Sequence, residues 1–107
     1  MSGGVAPAVY VILAGKPGSF RTELGPDVRS VEAYDYVFFG RTKAHFVIAE
    51  LHRETKIAVI DEALPPTVSR IPSKLLKKYA SVAEARRDLE HLARPGSADV
   101  ALVRVAQ

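Results

Sequence analysis

YDYVFFGRTKAHFVIAELHRETKIAVID, residues 34–61, is the stretch whose reading decides the fold. In its first part Tyr34, Tyr36 and Phe38 share one face of an extended chain, and Asp35, Val37 and Phe39 share the other. Only Asp35 breaks the apolar character, which predicts a strand covered on both sides. The pivot is KAHFVIAELHRE, Lys43–Glu54. As a helix it sets Ala44, Val47, Ile48 and Leu51 in an i, i+3, i+4, i+7 stripe. Lys43, Glu50, Arg53 and Glu54 then fall away from the stripe, and Phe46 lies outside it. As a strand, Phe46, Val47, Ile48 and Ala49 put apolar groups on both faces, with Glu50 and His52 on the face of Phe46 and Ile48. The helix separates polar from apolar more cleanly, so the spacing predicts a helix. Its rival is a β-meander turning at Gly40–Lys43 and His52–Thr55.

Outward from this stretch the chain is easier to read. Val9–Ala14 is a short β-branched run stopped by Gly15-Lys16-Pro17-Gly18, which predicts a strand. Phe20–Leu24 is a second short strand ended by Gly25-Pro26-Asp27, and Val28–Phe39 is rich in β formers. Lys56–Ile60 is a strand, and Val68–Ile71 an edge strand because Pro72 cannot donate to a ladder. Pro72 suits the first turn of a helix over Ser73–Tyr79. Ser81 and Glu84 form a capping box for a second helix, whose apolar face carries Val82, Ala85, Leu89, Leu92 and Ala93 before Pro95-Gly96 stops it. Asp99–Val105 alternates as a last strand.

The expected class is therefore α+β, one small domain over residues 8–107 behind a flexible N-terminus, residues 1–7. Strand, helix, strand, weak strand, helix, strand over 34–105 matches the ferredoxin-like βαββαβ order, with an extra N-terminal strand. The alternative is an antiparallel β-meander packed against C-terminal helices.

Composition narrows function mostly by exclusion. The 107 residues hold no Cys, which removes disulfides, thiolate metal sites, iron–sulfur clusters and a catalytic thiol. Fifteen Lys and Arg against twelve Asp and Glu give +3, with the acids interleaved, which is not the clustered profile of a polyanion binder. No basic residue precedes the first apolar run, and that run is far shorter than the roughly 20 residues that span a bilayer. The expectation is a cytoplasmic protein without a membrane partner.

Several constellations remain. Gly40, Arg41, Thr42 and Lys43 would open the pivot helix, where free N–H groups, a capping hydroxyl and two cations suit an oxyanion, and His45 would supply acid–base chemistry. Without that helix the four are a basic turn. Arg70, Lys74, Lys77 and Lys78 are the densest basic patch, readable as a nucleic-acid or acidic-partner surface or as a solvated face. His45 and His52 stand roughly 10 Å apart on a helix and on opposite faces of a strand, so neither geometry makes a metal site. Tyr34, Tyr36, Phe38 and Phe39 read as core rather than as a base-stacking platform, because no RNA-recognition element accompanies them. Asp35, Asp61 and Glu62 lie in or beside apolar strands without a nucleophile. No catalytic set and no cofactor follow. The leading expectation is a non-catalytic interaction or accessory subunit of a bacterial enzyme system, acting through a protein partner or self-association as a dimer. A small-molecule module or enzyme acting on an anionic ligand at residues 40–45 comes second, and nucleic-acid binding third.

Overall fold

The computed structural model describes residues 8–93 and 99–106; the expected loose segment 1–7 lies outside them. In chain order the elements are β1 (Val9–Gly15), β2 (Phe20–Glu23), β3 (Val28–Phe38), β4 (Arg41–Leu51), β5 (Lys56–Asp61), β6 (Thr67–Pro72), α1 (Val82–Ala93) and β7 (Val100–Val105). The strands form two antiparallel sheets. A four-stranded sheet runs β1-β4-β3-β7 and a three-stranded sheet runs β2-β5-β6.

The four-stranded sheet is the middle layer. Val11, Leu13, Val28, Ala49 and Leu51 from one of its faces pack with Ile57 of β5. Tyr34 and Ile48 from the other face pack with Tyr79, Ala85 and Leu89. Neighbouring residues of β4 thus serve different cores, Ile48 toward α1 and Ala49 toward the small sheet, and both are fully buried. Burying a side chain such as Ile48 or Leu89 contributes about 1.5–3 kcal/mol.

This overturns the ferredoxin-like βαββαβ arrangement. Residues 43–54 are not a helix: β4 pairs with β1 from Val9↔Leu51 to Gly15↔His45 and with β3 along nearly its whole length. The two-faced apolar pattern of Phe46–Ala49 is the mark of a strand covered on both sides, and a sheet and a helix supply the two covers. The chain does not follow the meander either, because β5 leaves for the other sheet. The helix expected over Ser73–Tyr79 is also absent. A single 3-10 turn spans Ser73–Leu75, and the chain then extends until Tyr79 exchanges backbone hydrogen bonds with Tyr10 at 2.9 and 2.8 Å. That contact covers the outer edge of β1. The capped helix does form. Ser81 Oγ accepts from Glu84 N at 3.1 Å, and Glu84 reaches back to Ala80 N at 3.0 Å. Leu92, assigned to its buried face, is instead 70% exposed.

Two irregularities set which side chains meet. A bulge between Ser30 and Glu32 shifts the β3 register, so Val28 and Ser30 face the small sheet whereas Glu32 and Tyr34 face α1. A second irregularity beside Tyr36 leaves Lys43 without an opposite residue, which pairs Thr42 with Val37. At the β1–β2 corner, a Cβ on Gly15 would stand 3.3 Å from the Phe20 carbonyl oxygen, so any side chain there would press on the Phe20 backbone.

Candidate functional site

The predicted anion site loses its premise, because no helix begins at residue 41. Phe39 and Gly40 form a two-residue hairpin loop between β3 and β4, closed by the Phe38↔Arg41 pair. Both loop residues have positive φ, 49° and 73°, the pattern of a type I′ turn. Gly40, Arg41, Thr42 and Lys43 are all exposed, and they do not converge. Arg41 lies on the α1 side of the sheet with Phe38. Thr42 and His45 lie on the opposite side, and Lys43 sits in the irregularity between them. Phe38 and Phe39, expected in a core, meet edge to face at the tip with ring centroids 4.5 Å apart, and Phe39 is 64% exposed.

The basic patch also disperses. Lys78 donates to the carbonyls of Ser73 and Leu76 at 2.7 and 3.2 Å and pairs with Glu54 at 3.2 Å. Lys77 pairs with Asp88 at 3.3 Å and lies over the Tyr79 ring. The Tyr79 hydroxyl donates to the same Asp88, and burial together with that bond pushes its pKa up to about 12. Lys74 is exposed beyond β6, and Arg70 projects from β6 itself.

Three features went unread in the sequence. The first is the outer surface of the three-stranded sheet. Ala58↔Arg70 and Ile60↔Val68 are paired across it, facing away from Ile57 and the core. With Leu24 from the loop before β3, they line an open groove of about 510 Å³, rimmed by Lys56 and Arg70. Arg21 and Glu23 neutralise each other there at 3.0 Å, whereas among the described residues neither Lys56 nor Arg70 meets a carboxylate. Thr67–Ile71 of β6 are exposed throughout, and among the described residues the far edge of β6 pairs with no strand. The phase of that edge follows from one bond. Ser73 N donates to Thr55 O at 2.7 Å, so alternate residues Ile71, Ser69 and Thr67 bond inward to β5. Val68 and Arg70 therefore point both their N–H and C=O groups outward. Pro72 falls in the outward phase, where its missing N–H costs nothing.

The second feature is a pair across β3 and β4. Asp35 and His45 are directly opposite, with His45 Nδ1 2.5 Å from Asp35 Oδ1. His45 also lines a small apolar pocket of about 170 Å³ with Leu13, Thr22, Leu24 and Val47. His52, at the other end of β4, meets Glu50 at 2.9 Å. Thus the two histidines are separated by the length of the strand.

The third is a buried carboxylate. Glu32, 6% exposed, accepts from Arg86 Nε and Nη2 at 3.0 and 2.6 Å and from the Tyr34 hydroxyl at 2.7 Å, with Arg104 3.4 Å away. The Arg86 bonds hold the Glu32 carboxyl below its usual range, whereas burial and the bond to Glu32 raise Tyr34. Every oxygen of this cluster is spoken for inside the fold, so it joins β3 to α1 and β7 and offers nothing to a substrate.

No protein-family model, curated protein or solved structure matches this chain. Among the described residues no group of three His, Asp or Glu is placed to hold a metal ion, and no helix is long and apolar enough to cross a membrane.

Proposed function

We propose that this protein is a non-catalytic interaction domain, an accessory rather than a reacting subunit, that binds an extended acidic segment of a partner protein along β6. The observation that carries this reading is the edge of β6, open among the described residues, beside a groove of mixed polar and apolar lining that carries Lys56 and Arg70. Natural edge strands are usually blunted, and an exposed edge with outward N–H and C=O groups takes an added strand readily. Val68 and Arg70 supply four such groups. An incoming strand gains those hydrogen bonds and, with every second side chain on the outer face, sets an apolar residue beside Val68 and, two positions along, an acidic residue beside Arg70. Charge of that kind fixes register and raises the association rate more than it raises affinity.

A fluorescently labelled peptide, Thr-Thr-Val-Thr-Glu-Thr-Thr, which carries Val and Glu on one face, tests the reading by anisotropy, with Lys in place of Glu as control. The Glu peptide is expected to bind and the Lys peptide not. R70E should weaken the Glu peptide about tenfold, which is about 1.4 kcal/mol. Methylating the peptide nitrogens that face β6 should abolish binding. Equal binding of both peptides, or indifference to methylation, removes strand addition. Light scattering that shows β6-dependent dimers instead makes a second copy the occupant.

A further inference from the structure

The two edges of the four-stranded sheet differ. Tyr79 covers the outer edge of β1 through its two backbone hydrogen bonds to Tyr10. At the other end, β3 is the one strand partner of β7 among the described residues. The β7 sequence, VALVRV, carries none of the devices that usually blunt an edge. It has no proline, no bulge against β3 and a single charge, Arg104. We infer that β7 is where two copies of this chain join, antiparallel about a two-fold axis at Leu102, so that their four-stranded sheets become one continuous sheet.

The hydrogen-bond phase of β7 selects this occupant. Phe39 N donates to Asp99 O at 2.8 Å, so Ala101, Val103 and Val105 bond inward to β3. Val100, Leu102 and Arg104 therefore point both their N–H and C=O groups outward, and these positions are symmetric about Leu102. Antiparallel pairing sets Leu102 against its own counterpart and Val100 against Arg104 in both directions, so every outward group finds a partner. A slide in either direction leaves some of them unpaired, and the slide that brings Arg104 to Arg104 sets like charges together. The side chains fit the same axis. Leu102 packs on the α1 side with the Tyr34 cluster, so Ala101, Val103 and Val105 project from the opposite face. There Val103 is 47% and Val105 37% exposed. In the pair, Ala101 of each copy stands opposite Val103 of the other, which joins two exposed apolar strips into one patch. Such an isologous contact needs no second surface. It lies on a different sheet from β6 and does not rest on the reading given for that edge.

Sedimentation velocity of the full chain over a rising concentration series tests the inference. The mass is expected to move from 11.6 kDa toward twice that value. Val100→Pro removes an outward N–H at the first residue of the strand, where proline leaves the ladder to β3 intact, and should weaken the dimer about tenfold. Arg70→Glu, on β6, should leave it unchanged. Cross-linking reads the register, because the chain has no Cys of its own. Ala101→Cys mixed with Val103→Cys should form a disulfide-linked dimer under mild oxidation, since non-hydrogen-bonded partners stand about 4.5 Å apart at Cα. Either variant alone should cross-link about tenfold more slowly, because each residue then lies diagonal to its counterpart. Ala101 and Val103 are both exposed, so these variants keep the fold. A chain that stays monomeric throughout overturns the inference. So does a dimer that survives Val100→Pro but not Arg70→Glu, or single cysteine variants that cross-link as fast as the mixture.

Discussion

Glu32 and Arg86 are 54 residues apart in sequence and are joined by two hydrogen bonds, of 3.0 and 2.6 Å, between the middle of β3 and the first half of α1. The fork of the guanidinium meets both carboxylate oxygens, the geometry in which an arginine gains most from a carboxylate. Because Glu32 is buried, removing Arg86 leaves its charge to the Tyr34 hydroxyl and the more distant Arg104 alone. Arg86→Leu is expected to destabilise the protein by about 1.5–3 kcal/mol in denaturant titrations. The double variant Glu32→Leu/Arg86→Leu should recover most of that loss, because it removes both charges from the interior. A double variant as unstable as the single one would mean that the pair adds net stability beyond avoiding an unpaired charge.

The same pair sets a pH limit. Glu32 is held below its usual range in the folded state, so the folded protein binds that proton less tightly than the unfolded chain does. Its contribution is complete above the unfolded carboxyl value near 4.5 and is lost as pH falls through the lower folded value. Asp88, lowered chiefly by the Tyr79 hydroxyl, acts in the same direction. Thermal melts should therefore show stability falling below about pH 4.5, and less steeply in Glu32→Leu/Arg86→Leu. Parallel acid limbs for the two proteins would argue against Glu32 as a source.

Tyr79 sets the opposite limit. Its pKa, raised to about 12, favours the protonated phenol in the folded state. The associated stability is complete below the unfolded value of 10 and is lost as pH rises through 12. Absorbance at tyrosinate wavelengths should contain a late component, shared with Tyr34, that Tyr79→Phe reduces. A titration unchanged by that substitution would contradict the burial of the hydroxyl.

Phe39 occupies a left-handed backbone position that a bulky side chain rarely adopts. Replacing it by Gly or Asn relieves about 1 kcal/mol of backbone cost, partly offset by loss of the ring contact with Phe38. Phe39→Asn is therefore expected to raise the melting temperature slightly, and a clear fall would show that the aromatic contact outweighs the turn.

Ser73 closes the junction between β6 and the turn that follows. Fully buried, it donates to Glu54 Oε2 at 2.6 Å and accepts from Thr55 N at 2.9 Å. Ser73→Ala leaves the Thr55 donor without a partner and should cost about 1–3 kcal/mol. Hydrogen exchange should locate the loosening at Thr55 and Lys56, and protection unchanged there would refute the role.

What the sequence determined by itself was mostly local. The strands at Val9, Phe20, Val28 and Val68 were legible because Gly or Pro stops each run, and those at Lys56 and Asp99 because of their short, β-branched apolar content. The helix after Ser81 was legible because its cap is built from adjacent residues. His45 and Arg70 were also singled out, but as members of clusters that the fold disperses. Only the tertiary structure decided the rest. Phe46–Ala49 fit a helix better as an isolated segment and became a strand because a sheet and a helix cover its two faces. A bulge at Ser30–Glu32, invisible in composition, turned Glu32 toward Arg86. The partner of His45 lay ten residues earlier on a neighbouring strand, and the edge of β6 is open because β5 is its one strand partner among the described residues. Periodicity records which side chains share a face, whereas the number of faces that are covered is a property of the assembled layers.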